Sequence, residues 1–155
     1  MRAWLLGTVL LAQLAWGEGM PGCRLTDLNG HAQTLPQGKV VYLDFWASWC
    51  SSCAHSFPFM NALTEDLGKR GLAVVAVNLD ENLQEAKAFL DRHPPRFFVL
   101  LDPHGECARA FSVEGMPATY LIDRTGQVRY RHIGFRPGDS KVLKAKVEEL
   151  LAESE

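Results

Sequence analysis

The 155-residue chain has little of several things, and each shortage closes a class of function. It has no run or patch of Lys and Arg: 16 basic residues stand against 18 acidic ones, a net charge of −2. Phosphate backbones are gripped by clustered cations, so no nucleic-acid partner is expected. There is no internal repeat and no low-complexity linker, and one domain is the expected count at this length. Beyond the first sixteen residues, no apolar run approaches the roughly 20 residues a membrane-spanning helix needs. Cysteines number only four, Cys23, Cys50, Cys53 and Cys107. A zinc site takes about four ligands, whereas here one Cys-x-x-Cys has no second and no histidine pair stands at ligand spacing. No metal is therefore expected.

What the chain does have begins at its N-terminus. Met1-Arg2 supplies a positive charge, and an apolar stretch follows from Ala3 to Trp16, interrupted only by Thr8 and Gln13. It ends at Ala15-Trp16-Gly17, a small-x-small cleavage signal. This is the layout of a secretory signal peptide over 1–17, with 18–155 as the exported domain. An uncleaved membrane anchor is the alternative. A lipoprotein signal ending at Cys23 is disfavoured by the intervening Met20-Pro21-Gly22. Loss of residues 1–17 removes one basic residue and leaves 15 against 18, a net charge of −3. Export places the cysteines where disulfides persist, and their even number permits two pairs.

The remainder alternates strands with helices. Arg24–Leu28 and Ala32–Leu35 flank Asn29-Gly30, which predicts a hairpin with a type I′ turn. Lys39–Trp46 is dense in Val40, Val41, Leu43 and Phe45, as in a strand buried on both faces. A helix is predicted from Ser51 to Lys69, with Phe57, Met60, Leu63 and Leu67 at helical spacing. Pro58 within it predicts a kink. Leu72–Leu79 is the next buried strand. Asn82 is expected to cap a following helix, with Glu85 as a capping-box partner. Its apolar stripe is Leu83, Ala86, Phe89 and Leu90, and His93-Pro94-Pro95 stops it. Arg96–Leu101 predicts a strand, Glu106–Phe111 a short helix, and Ala118–Asp123 with Gln127–Ile133 a hairpin. A last helix from Asp139 or Ser140 is expected to bury Val142, Leu143, Val147, Leu150 and Leu151. The predicted class is α/β, a central mixed sheet flanked by helices on both faces, with an added N-terminal β-hairpin.

Cys50-Ser51-Ser52-Cys53 falls between a buried strand and the start of a helix. Unpaired N–H groups and partial positive charge at a helix N-terminus stabilise a thiolate, the attacking species in disulfide exchange. Two cysteines three apart lie on one turn and can close and reopen a disulfide. Cys50, at the exposed tip, is expected to attack a partner disulfide, and Cys53 to resolve the mixed disulfide.

Asp44-Phe45-Trp46-Ala47-Ser48-Trp49-Cys50-Ser51-Ser52-Cys53, with Pro58 five residues on, resembles the active-site segment of the thioredoxin superfamily. Gly115-Met116-Pro117-Ala118-Thr119-Tyr120-Leu121-Ile122-Asp123 resembles its cis-proline segment. The Leu25–Leu35 hairpin, Val75–Glu81 and Leu101–Glu106 are additions similar to those of TlpA/ResA-type exported thiol–disulfide oxidoreductases. The resemblance covers nearly all of residues 21–152 and implies a thioredoxin-like fold. It further implies that Pro117 is cis, that the Met116 backbone pairs with an extended substrate, and that Trp49 forms an apolar rim. Asp44 matches the buried acid of thioredoxins and is expected to take the Cys53 proton, against the alternative of a purely structural carboxylate. Many TlpA-type sequences carry Asn there. Glu81 lies near where some relatives place a functional acid, and is read as a solvated charge at a helix start.

The resemblance implies no diffusible cofactor, a monomer, and reduction of disulfides in exported proteins. It also implies electrons drawn from a membrane or periplasmic redox partner, in cytochrome c maturation or oxidase assembly. Ser51-Ser52 departs from the Gly-Pro of thioredoxins and the Pro-Pro common in TlpA-type proteins. Hydroxyls there would stabilise the reduced form, so an oxidase or isomerase role stays open. Known potentials in this superfamily span about 150 mV, or roughly 7 kcal/mol. A copper-binding assembly factor is a rival of another class, although related copper chaperones space their cysteines one residue wider. Cys23 and Cys107 are either a tying disulfide or two free buried thiols. His31, His55, His93, His104 and His132 are scattered, and His55 is expected to face solvent.

Overall fold

The computed structural model describes residues 21–153, so the expected leader over 1–17 lies outside the described residues. The elements run β1 (Leu25–Thr26), β2 (Ala32–Gln33), β3 (Val40–Trp46), α1 (Ser51–Leu67), β4 (Leu72–Asn78), α2 (Leu83–Arg92), β5 (Phe98–Leu101), α3 (Glu106–Ala110), β6 (Ala118–Ile122), β7 (Val128–Ile133) and α4 (Asp139–Ala152). A short 3-10 turn, Gly68–Arg70, follows α1, and Gly71 ends it in the left-handed region at φ 100°, where a side chain would be strained.

The strands form a seven-stranded sheet in the order β2-β1-β5-β4-β3-β6-β7. β3, β4 and β5 run parallel, while β6 and β7 are antiparallel additions on one side and β1 and β2 on the other. All seven residues of β3 are buried, as a central strand covered on both faces requires. Its side chains alternate. Val40, Tyr42 and Trp46 face the layer formed by α1, α2 and α4, with Phe57, Phe89 and Leu143. Val41, Leu43 and Phe45 face α3 and the N-terminal segment, with Leu25, Leu35 and Phe111. The mixed sheet with helices on both faces is the thioredoxin-like arrangement, and the N-terminal hairpin extends it at one edge.

Local geometry meets some expectations and departs from others. The β1–β2 connection is not a type I′ turn, because Gly30 has positive φ but Asn29 does not. Asp27 reorganises the loop: its Oδ1 accepts from the backbone N–H of Asn29 and of His31, while its own N–H donates to the His31 carbonyl. Pro58 lies inside α1 without ending it. Asn82 caps α2 through the N–H of Gln84. Glu85 donates its backbone N–H to the Asn82 carbonyl, so the contact is made by main chain. β5 begins at Phe98 rather than Arg96, because Asn61 on α1 takes the Arg96 N–H and donates to the Pro94 carbonyl. Val142 is half exposed, one step off the buried stripe of Leu143, Val147, Leu150 and Leu151.

Candidate active site

The parallel strands end on the edge where β3 hands over to α1. Cys50 is the residue before the first turn of α1, in extended backbone, and its sulfur is bonded to Cys53 with 5.3 Å between the Cα atoms. Cys50 donates its N–H to the Ala47 carbonyl, and Cys53 donates to the Cys50 carbonyl. The expected exposed tip is corrected: Cys50 is 7% exposed and Cys53 is fully buried, whereas Trp49 stands out at 72%. Of the two sulfur-bearing residues Cys50 is still the more open, which suits it to meet a partner. The Ser52 hydroxyl lies 3.7 Å from Cys50 Sγ.

β6 brings the second segment to the same edge. Phe45 pairs with Ala118, so Pro117 falls beside the end of β3. The Met116–Pro117 bond is cis. The Pro117 carbonyl accepts from the Gly134 N–H, which ties the proline to the end of β7. Met116 is partly buried against the α1 layer.

Asp44 sits on β3 with its side chain in that layer and no exposure. Its Oδ1 accepts from the Thr119 hydroxyl at 2.8 Å, and the Thr119 oxygen lies 3.3 Å from the Tyr42 hydroxyl. Burial pushes the Asp44 carboxyl up to about 7, with the Thr119 hydrogen bond pulling the other way. Among the described residues, two buried side-chain polar atoms lack a partner: Oδ2 of Asp44 and Nε1 of Trp46. An acid that is buried and raised toward neutrality can hold or release a proton, as general acid–base work requires.

A feature not predicted from the sequence fastens the segment that leads into Cys50. Asp80, just beyond β4 and nearly buried, accepts from both the N–H and the hydroxyl of Ser48, and from the Asn78 side-chain amide. Its own N–H returns to Asn78 Oδ1. The Ala47–Trp49 loop that precedes Cys50 is thereby fastened to the end of β4. Ser56, one turn past Cys53, gives its hydroxyl to the Cys53 carbonyl. Glu81 and His55 are exposed.

Cys23 and Cys107 are bonded to each other with 4.9 Å between Cα atoms, in the layer on the opposite face of the sheet. No group of His, Cys, Asp and Glu among the described residues could hold a metal ion.

The redoxin family profile matches residues 15–149. The chain is 36% identical to the thiol–disulfide oxidoreductase ResA of Geobacillus kaustophilus over 118 residues, 75% of this chain and 68% of that one. It is 34% identical to the thioredoxin-like protein YneN of Bacillus subtilis over 123 residues, 76% of this chain and 71% of the other. A solved structure from Chlorobium tepidum, assigned to the DsbE type of thiol:disulfide interchange protein, superimposes with a TM-score of 0.84 at 43% identity, covering 88% of this chain and 97% of its own.

Proposed function

Because the chain belongs to the redoxin family, as a thiol–disulfide oxidoreductase of the TlpA/ResA type in the thioredoxin superfamily, we propose that it works in the cell envelope, reducing disulfides of exported proteins through Cys50 and Cys53. The observation that carries this reading is the placement of the Cys50–Cys53 pair at the start of α1, on the same sheet edge as the cis Met116–Pro117 bond.

In the reduced enzyme Cys50 is the thiolate, favoured by the free N–H groups of the first turn of α1. It attacks one sulfur of the substrate disulfide. A mixed disulfide forms, and the second substrate sulfur leaves as a thiolate. Cys53 then gives its proton to Asp44 and attacks Cys50 Sγ. The first substrate sulfur leaves, and the Cys50–Cys53 disulfide is restored. The substrate has gained two electrons and the enzyme has lost two. A dithiol partner in the membrane or periplasm resets the pair. The extended substrate chain lies along the Met116 backbone, and Trp49 supplies the apolar rim. The apolar leader supports export. No helix among the described residues is long and apolar enough to cross a membrane. A place in cytochrome c or oxidase assembly follows the ResA resemblance.

The deciding measurement is the reduction potential of the Cys50–Cys53 couple, by equilibration against glutathione or dithiothreitol. A value on the thioredoxin side, about −270 mV, is expected. A value near the roughly −120 mV of DsbA would overturn the reductase direction.

A further inference from the structure

We infer that Thr119, backed by Tyr42, is a positioning residue for the dithiol: its hydroxyl holds Oδ1 of Asp44 and leaves Oδ2 as the atom that receives the Cys53 proton. The inference rests on the proposed role of Asp44 as that acceptor.

The geometry fixes the direction of the hydrogen bonds. A threonine hydroxyl has a single proton, and Thr119 donates it to Asp44 Oδ1 at 2.8 Å. The 3.3 Å contact with Tyr42 therefore has the phenol donating to the Thr119 oxygen. Tyr42, Thr119 and Asp44 are all at most 1% exposed. Putting a proton on Oδ1 would turn the Thr119 proton away and reverse the Tyr42 bond, among three groups that have almost no exposure to bulk solvent. Putting it on Oδ2 disturbs nothing, and Oδ2 is the oxygen without a partner.

The register makes this a built arrangement. Asp44 lies directly opposite Thr119, and Thr119 is two residues beyond the cis proline. Around Asp44, β3 contributes Tyr42 and Trp46, and β4 contributes the uncharged Ala76 opposite it. α1 brings Cys53 into the same layer, and the Ser56 hydroxyl is committed to the Cys53 carbonyl. β7 places His132 opposite Thr119, where its ring nitrogen is held 2.9 Å from Asp139 at the start of α4. Thr119 is thus the group in direct contact with the carboxylate, and its bond favours the ionised form.

The test uses Ellman's reagent on the reduced protein. The first thionitrobenzoate released reports attack by Cys50, and the second reports attack by Cys53 on the mixed disulfide. The rate of the second release, followed against pH, is expected to show a midpoint near 7 that Asp44→Asn removes. Thr119→Val is expected to raise the midpoint by about one pH unit. Thr119→Ser should restore it, and Tyr42→Phe should raise it by less. Carbon-13 NMR titration of the Asp44 carboxyl in the oxidised protein should give the same order without any chemistry. A midpoint lost in Asp44→Asn but unmoved in Thr119→Val overturns the assignment of Thr119 alone. A midpoint that survives Asp44→Asn overturns the role of Asp44 beneath it. If Thr119→Val does not fold, an unmoved midpoint in Tyr42→Phe overturns the inference.

Discussion

The two disulfides of this chain lie on opposite faces of one sheet. Cys50–Cys53 joins residues 3 apart where a strand hands over to a helix, in a layer that also holds a buried acid and hydroxyls. Cys23–Cys107 joins residues 84 apart, and Cys107 is packed among Leu25, Phe45 and Phe111. Loop-closure entropy separates them. Constraining the unfolded chain is worth about 2 kcal/mol for the short loop and about 4.5 kcal/mol for the long one, as upper figures. One bond therefore constrains the chain little and shares its layer with a buried carboxyl. The other is costly to open and has an apolar setting. Surroundings, rather than the bond itself, divide exchange from bracing.

The largest expected effect tests that division directly. Cys50→Ser should reduce turnover of a disulfide substrate such as insulin to the uncatalysed rate, and Cys53→Ser should trap the mixed disulfide on Cys50. The paired change of Cys23 and Cys107 to Ala should leave turnover within about twofold, because it leaves the helix start and the thiolate untouched. A turnover loss in that pair comparable to that of Cys50→Ser would break the comparison.

Stability should show the reverse order. Removing Cys23–Cys107 is expected to cost up to about 4.5 kcal/mol in urea unfolding. Reducing Cys50–Cys53 alone should cost less than half as much. Equal losses would mean that the long bridge is slack in the unfolded state or that the short one is under load in the folded state.

Asp44 sharpens the contrast, because among the described residues it is the carboxyl that burial raises, and it lies in the layer of Cys50 and Cys53. Its carboxyl stands at about 7 in the folded protein against 3.8 for an ordinary aspartate. Between those values the folded state holds a proton that the unfolded chain has released. Stability should therefore fall as pH rises from about 4 to about 7, by up to about 4 kcal/mol, and level off on either side. Asp44→Asn should flatten that slope. A wild-type protein whose unfolding free energy is constant across this window would show that the carboxylate is better solvated than its burial implies.

Much of this site is legible in the sequence because it is local. The apolar density of residues 40–46 specifies a central strand, and Cys-x-x-Cys next to it specifies what the helix start presents. The parts that are not legible depend on distant partners. Asp80 reaches Ser48 across 32 residues, and Thr119 reaches Asp44 across 75. Neither distance follows from spacing or periodicity. The Cys23–Cys107 bridge is of the same kind, since cysteine count permits it but cannot bring the two ends together. Short-range misreadings have another cause. At Asn29-Gly30 the local turn preference is outcompeted by the Asp27 carboxylate, which organises two backbone N–H groups at once. At Arg96 a side chain from α1 claims the N–H that a longer β5 would have used.

The smallest effect concerns Ser52, a hydroxyl near the exchanging bond. Its oxygen is 3.7 Å from Cys50 Sγ in the oxidised protein. On reduction the sulfur becomes a thiolate, a far better acceptor than a disulfide sulfur, so the hydroxyl gains a charge-assisted bond only in the reduced state. That bond favours the dithiol and makes the couple more oxidising. Ser52 is half-buried, which holds its worth to about 1 kcal/mol. Ser52→Ala should therefore lower the potential by about 20 mV, and Ser51→Ala, at an exposed position, should leave it unchanged. An equal shift in both variants would assign the effect to the start of α1 as a whole. A rise in Ser52→Ala would mean that the hydroxyl favours the oxidised bond, and the serine pair would then push the enzyme toward reduction of its substrates.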